Sequence, residues 1–371
     1  MSPADEISAI QACIDNPLNE HRPGEKRIAG IIGDAPSHYA KSPAIWNATF
    51  DRLQMEAVYL PFDVQPSRLR DLTKVLKDSE RFMGGNVTVP YKIRIADMLD
   101  GLDEKTAQIG AVNTIVRAGD GRLLGYNTDG SGFLESVLNP RCGEGTPFMN
   151  TLKGVDVLMI GAGGSARAVA FYLAEAIGKG TLIICNRSYK AAAALASDIA
   201  KAGGNARAIT EEKMGERAPK VGLIVNCSTK GQGGIRKLAD GTITILEPYS
   251  ALAPAHPKTF PDTDADNPAI YLKWLTASLA DLEANLTASL RAVLAIPLGV
   301  AFCDLIYAPR ETVFLRHGRL SGHRTLNGKG MNVAQAADAF YNKVCRAFLE
   351  EHGMYRPETY ERVVEIMFEA W

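Results

Sequence analysis

Short apolar runs bounded by glycine alternate along the chain with segments whose apolar residues recur every three or four positions. This alternation predicts strands and helices in turn. IAGIIG (28–33) reads as a buried strand, and the segment from Ser42 to Met55 as a helix with Ser42 as N-cap and Pro43 at its first position. AVYLPFDV returns as a strand, and Leu69, Leu72, Val75 and Leu76 mark a helix over 66–78. FMGGNVTVP is a strand running into a turn, and PYKIRIADML a short helix beginning at Pro90. AVNTIVR and RLLGYN flank Asp120-Gly121, the pairing expected of a β-hairpin. Residues 1–27 read as a polar, helical extension.

From about residue 155 the alternation becomes regular. VDVLMI, TLIIC, GLIVNC, TITIL and AFCDLIY are separated by helical segments, the pattern of a doubly wound parallel sheet. An insertion interrupts it near 233–296. Within the insertion, Asn267-Pro268 would open a helix on which Leu272, Leu275, Leu279, Leu282, Leu286 and Leu290 share one apolar face. That face is expected to pack on its own domain, with a subunit interface, and hence a homodimer, as the alternative. The run from Asn327 to Gly353 reads as a long helix followed by a polar tail.

The composition narrows the function. With 371 residues the chain is long enough for two domains, and 46% hydrophobic with 22% charged residues is ordinary for a globular protein. A formal net charge of -1 argues against partners such as nucleic acid or a membrane surface. Six scattered cysteines without a CxxC pair read as buried reduced thiols, and no metal is expected, because ligand spacing is lacking. The N-terminus shows no apolar stretch of signal-peptide type, so a cytoplasmic location is expected. AVLAIPLGVAFC is too short to span a bilayer and is broken by Pro297 and Gly299.

Gly161, Gly163 and Ala166, with Gly164 and Ser165 between them, form a G-x-G-x-x-A turn after a strand and before a helix. Gly161 permits the tight turn, Gly163 lets backbone approach a pyrophosphate, and the helix N-terminus offers unpaired N–H groups. The next strand ends in Asn186, Arg187 and Ser188, with Lys190 beyond and no acid at its tip. An acid there would suit the ribose of NAD, whereas Arg187 can grip a 2′-phosphate, so NADP is favoured over NAD.

Taken together, KSP (41–43), NVTVPYK (86–92), GAVNTI (110–115), GYNTDG (125–130), GAGGSARAV (161–169), NRS (186–188) and NGKGMNVAQAA (327–337) resemble the shikimate dehydrogenase family over most of residues 28–350. The resemblance implies an α/β protein of two domains. A mixed α/β substrate domain would cover 28–128 and be completed by 328–371, and a Rossmann NADP-binding domain would cover 129–327. It implies reversible reduction of 3-dehydroshikimate to shikimate with NADPH. By motif match, Lys92 and Asp129 are the catalytic pair, and Asn86, Thr88, Asn113 and Gln335 line the substrate pocket. Ser42 and Tyr307 would meet the substrate carboxylate, and Met331 the nicotinamide.

The residues support this chemistry on their own terms. Hydride addition to a ketone leaves charge on oxygen, which calls for a proton donor there. Lys92 follows a strand and a proline turn, and Asp129 opens a helix. A structural ion pair is the alternative reading of the two. Amides and hydroxyls beside apolar strands suit either hydroxyl recognition or turn satisfaction. The chain departs from the family at Ala40, which stands where a first carboxylate-binding serine is usual; either Ser37 or Tyr39 compensates, or the ligand lacks a carboxylate there. Lys329 and Asn332 stand where apolar residues are usual. These departures leave quinate, an aminoshikimate or a methylene-tetrahydrofolate as alternative substrates, and a non-catalytic NADP-binding regulator as the alternative class.

Overall fold

The computed structural model describes residues 3–18, 23–140, 145–238 and 240–371. Its contacts divide into two compact units. The first comprises Met1–Pro147, Arg167–Val169 and Gly330–Trp371, and the second Phe148–Ala166 and Ala170–Lys329. The helix Asp129–Leu138 lies with the first unit, so the division falls after 147 rather than at 128.

Six strands make the sheet of the first unit: β1 (Arg27–Gly33), β2 (Ala57–Asp63), β3 (Phe82–Val87), β4 (Gly101–Leu102), β5 (Thr114–Arg117) and β6 (Leu123–Tyr126), in the order β2-β1-β3-β5-β6-β4. β1 pairs in parallel with both β2 and β3, β5 joins β3 antiparallel, and β5 and β6 form the expected hairpin. β1 and β2 are buried on both faces, which explains their unbroken apolar runs. One face packs on Leu69, Leu72 and Leu76 of the helix Leu69–Asp78 together with Ile10, Ile14 and Leu18. The N-terminal segment is thus part of the core. The other face packs on Trp46 and Phe50 and on Val333, Phe340, Val363 and Met367 from the C-terminal helices.

Several local expectations change. The helix Ser42–Arg52 starts at Ser42 with Lys41 in the cap position and no side-chain cap bond, so Ser42 is its first helical residue. Pro90 leads not into an α-helix but into a turn and the short 3-10 helix Arg94–Met98. The long C-terminal helix is broken into Lys329–Asp338, a wider π-type stretch Ala339–Val344, and Arg346–Glu351. The supposed polar tail is the helix Pro357–Ala370, whose Val363, Ile366 and Met367 are buried.

The second unit holds β7 (Val157–Ile160), β8 (Leu182–Cys185), β9 (Ala206–Ile209), β10 (Leu223–Asn226), β11 (Ile235–Lys237), β12 (Thr242–Ile245), β13 (Phe260–Pro261), β14 (Ala301–Asp304) and β15 (Thr325–Leu326). Six of them form an all-parallel sheet in the order β15-β14-β10-β7-β8-β9. Numbered within the sheet this is 6-5-4-1-2-3, the doubly wound arrangement that binds dinucleotides where the strand order reverses, here between β7 and β10. β12, expected in this sheet, instead forms a separate antiparallel sheet with β11 and β13.

The insertion helix runs Ile270–Leu294 with Ala269 as cap, two residues past the expected start. Its buried face carries Trp274, Ser278, Leu282, Asn285, Ser289 and Val293. Leu272, Leu279 and Leu290 are exposed, so the leucine stripe does not pack on its own domain as a whole. The cause is the coil it covers. Asn285 accepts from the Ser250 amide and donates to the carbonyl of Pro254 (2.8 Å), and Ser278 accepts from the Lys258 amide. Backbone without its own ladder takes polar partners from the helix, and these displace leucines from the inner face. Five cysteines are free thiols, four of them buried; Cys142 lies outside the described residues. No described helix is long and apolar enough to cross a membrane.

Candidate active site

The segment Ala111–Asn113 is the hub of the first unit's site. Backbone bonds tie it to the rest: the Val112 amide donates to the Lys92 carbonyl (2.7 Å). Asn127 donates to the Ala111 carbonyl (2.7 Å) while accepting from the Asp129 amide (3.0 Å). The turn before the helix Asp129–Leu138 and the turn after β3 are therefore both held against one short stretch of chain.

From these positions Lys92 and Asp129 meet. Lys92 Nζ donates to Asp129 Oδ2 at 2.6 Å, with the lysine side chain 14% and the aspartate 5% exposed. The other carboxylate oxygen accepts from Asn113 Nδ2 at 2.8 Å. That amide also lies within reach of Thr128 Oγ1 (2.9 Å) and Gln335 Oε1 (3.1 Å). Two N–H groups cannot serve three acceptors at once, so a competing partner finds one of them ready to change hands. Asn113 Oδ1 is filled by the Thr128 amide and the Thr114 hydroxyl.

The network extends across the sheet. Asn86, on β3, donates to Thr114 Oγ1 and to the Asn113 carbonyl, and its Oδ1 accepts from Tyr59 on β2 at 2.7 Å. Burial pushes the Tyr59 hydroxyl well above its usual range, against the bonds it shares with Ser42 and Asn86. Lys92, Asp129, Asn113, Gln335, Asn86 and Ser42 thus belong to one chain of contacts. Thr88 sits where β3 ends, its amide on the Ile32 carbonyl, and is not among the recorded links of that chain. The sequence reading missed Tyr59, Thr114 and Thr128. The two threonines lie inside quoted motifs, whereas nothing in an apolar strand singles out Tyr59.

A close approach makes the site possible. A Cβ on Gly132 would lie 2.6 Å from the backbone nitrogen of Gln335, so only glycine lets the helix Lys329–Asp338 come close enough to place Gln335 on Asn113. Ser131 adds a bond to Asp338 (2.7 Å). Met331 is buried on the same helix. At the far end of the chain Trp371 Nε1 donates to Asn332 Oδ1 (3.1 Å), and Lys41 Nζ lies 5.6 Å from the Trp371 ring centre. Ser37, one candidate to replace the serine lost at Ala40, is committed to Asp63 through its hydroxyl and its amide. Tyr39 donates to Asp34.

The second unit carries the glycine turn. Gly161 has φ +121°, and a Cβ there would lie 2.7 Å from the Cys227 backbone, so the turn presses β7 against β10 at the point of strand reversal. Gly163 caps the helix Gly164–Ile177, and a Cβ there would meet nothing within 4 Å, leaving the open approach to backbone that a pyrophosphate needs. Gly164 and Ser165 are the first two residues of that helix, and Ala166, the third, is buried. Arg187 and Lys190 are exposed beyond β8. Asn186 donates to the Ser188 carbonyl, and Ser188 caps the next helix by accepting from the Ala191 amide, so these two shape the loop. Tyr307 follows β14, its hydroxyl raised by burial. These groups fit a phosphorylated dinucleotide: open backbone at a helix N-terminus with a guanidinium at the next strand tip.

Comparison with known proteins agrees with this geometry. Residues 31–115 match a family model described as the shikimate dehydrogenase substrate binding domain, and residues 146–237 one described as shikimate/quinate 5-dehydrogenase. A shikimate dehydrogenase (NADP(+)) of Symbiobacterium thermophilum is 35% identical over 321 residues, covering 85% of this chain and 88% of the relative. A shikimate dehydrogenase solved in complex with NADP+ superposes with a TM-score of 0.63 at 26% identity, covering 96% of each chain. The enzyme of Thermus thermophilus, solved with NADP(H) and shikimate, gives 0.61 at 28% identity, over 93% of this chain and 100% of that one. By its sequence, its sheet order and its paired lysine and aspartate, the chain belongs to the shikimate dehydrogenase family.

Proposed function

We propose that the chain interconverts shikimate and 3-dehydroshikimate with NADP. One observation carries this reading: Lys92 Nζ lies 2.6 Å from an Asp129 carboxylate whose second oxygen is held by Asn113. When bound, the dinucleotide supplies or takes up the hydride. In reduction, Lys92 gives a proton from Nζ to the carbonyl oxygen as charge develops there and regains one from solvent. In oxidation it accepts the hydroxyl proton. Asp129 keeps the ammonium in place and orients the reacting hydroxyl. Asn86, Asn113 and Gln335 recognise ring hydroxyls by exchanging bonds that they now make to one another, with Thr88 beside them, and Ser42 meets the carboxylate. On the cofactor side, Gly163, Gly164 and Ser165 present backbone to the pyrophosphate and Arg187 holds the 2′-phosphate, with Lys190 nearby.

Ala40 supports a second reading, in which the same machinery acts on a related ring acid such as quinate. A missing hydrogen bond to a carboxylate is worth about 1.5–3 kcal/mol, enough to shift preference between similar acids. Steady-state rates with shikimate and quinate, each with NADP+ and NAD+, decide. Fastest turnover of shikimate with NADP+ is expected. No turnover of shikimate beside clear turnover of quinate would replace the first reading by the second.

A further inference from the structure

The cavity at the C-terminal ends of β7, β8 and β10 has a volume of about 260 Å3. Ile160, Arg187 and Ser228 line it from these strand ends. The insertion supplies further lining. Arg236 and Leu238 line it from β11 and just beyond, and Thr244 and Leu246 from β12 and just beyond, with His256 from the coil that follows. Arg236 stands opposite Thr244 in the antiparallel register, and Leu238 and Leu246 are each two residues on, as the period of a strand requires for positions sharing a surface. The matched family segment stops at residue 237, so most of this wall lies beyond it.

The charges are unevenly spent. Lys230 is half-committed to protein: its Nζ donates to Glu211 at 2.6 Å and to the Ala253 carbonyl at 2.8 Å. Both side chains of that pair are largely buried, at 12% and 8% exposure. This pair fastens the insertion coil to the tip of β10 and balances the acid in the lining. Arg187 and Arg236 then give the cavity a cationic excess, with the His256 imidazole in the same lining, next to apolar Leu238, Leu246 and Ala255. Cations beside an apolar slot suit a purine carrying a phosphate.

We propose that the insertion completes the adenosine end of the dinucleotide site, with Arg236, assisted by His256, gripping the 2′-phosphate together with Arg187. The proposal rests on the reading that the chain uses NADP. It makes the three-stranded sheet a specificity element: a dinucleotide without the 2′-phosphate gives Arg236 nothing to bind, and so gains nothing from the wall.

Titration calorimetry of the full chain with NADP+, NAD+, adenosine 2′,5′-bisphosphate and ADP tests this. Arg236→Ala is expected to weaken NADP+ and the bisphosphate by about 10-fold or more, the usual cost of a lost charged hydrogen bond. NAD+ and ADP should be nearly unchanged. Arg236→Lys should keep most of the preference, which separates loss of charge from loss of the strand, and His256→Ala should act in the same direction more weakly. If Arg187→Ala abolishes the preference for the phosphorylated ligands while Arg236→Ala leaves it intact, the insertion is no part of the site and the proposal fails alone. If the unaltered protein binds NADP+ and NAD+ equally, the NADP reading fails and takes the proposal with it.

Discussion

Each of the two units buries an aspartate at or just past the end of an inner strand, and the two are treated differently. Asp129 is 3% exposed and has a lysine 2.6 Å away. Asp304, at the end of β14, is fully buried and has only dipoles: Asn226 Nδ2 at 3.0 Å, the Ile306 amide at 2.9 Å and the Thr312 hydroxyl at 2.7 Å. Burial pushes the Asp304 carboxyl up to about 7, and the three hydrogen bonds only partly offset it. The contrast teaches what the lysine is for. Dipoles suffice for a carboxyl that pins a strand end to the next turn. Under the proposed mechanism, a carboxylate that must stay beside a moving proton is given a cation and an amide that can let go.

The largest expected break in this comparison is Lys92→Ala. Removing the proposed proton donor should lower kcat by about 10²–10⁴-fold, while the affinity for NADP+, measured by calorimetry, stays as it was. Near-normal turnover in that variant would reduce the pair to a structural contact. Asp304 gives the next effect, on stability. Its carboxyl titrates near 3.8 in the unfolded chain and about 7 in the folded one. Between these values the folded protein holds a proton that the unfolded chain has released. Stability from this group is therefore complete below about pH 4 and is lost as pH rises toward 7, by roughly 1.4 kcal/mol per pH unit. Asp304→Asn should flatten that slope in urea unfolding followed from pH 4 to 7. An identical slope in both proteins would show that Asp304 does not carry it. The smallest effect is Gly132→Ala, where a methyl group meets the Gln335 backbone. It should cost about 1–3 kcal/mol in thermal unfolding and lower kcat/KM as Gln335 is pushed off Asn113. An unchanged protein would mean that the two helices separate freely.

Much of this was legible beforehand, and the reasons differ by region. The glycine turn and the order of strands follow from backbone requirements that a linear pattern records directly: a strand, a G-x-G-x-x-A, a helix. The lysine, the aspartate and the amides around them could be named because they stand inside short motifs. Their mutual bonds could not, since Asn113 and Gln335 are 222 residues apart. Tyr59 was illegible because a tyrosine in a strand reads as core, and only the position of Asn86 across the sheet gives its hydroxyl a purpose. The insertion helix misled for a similar reason. Leucines at helical spacing predict an inner face when the partner is apolar, but the partner here is coil at 250–258, whose carbonyls and amides drew Asn285 and Ser278 inward, while its Ser250 hydroxyl drew Ser289. The C-terminal helix read as a polar tail because its apolar residues, Val363, Ile366 and Met367, occupy one narrow line among acids.

The return of the last forty or so residues to the first sheet sets an order of assembly. A chain leaving the ribosome exposes β1, β2 and the segment around Asn113 long before Val333, Phe340 and Met367 exist to cover them, at elongation rates of about 5–20 residues per second. The nucleotide half, interrupted only at Arg167–Val169, is free to mature while the half that will handle the ring acid waits uncovered. A nascent chain halted before residue 329 would carry a finished cofactor fold tethered to a half-built, aggregation-prone one.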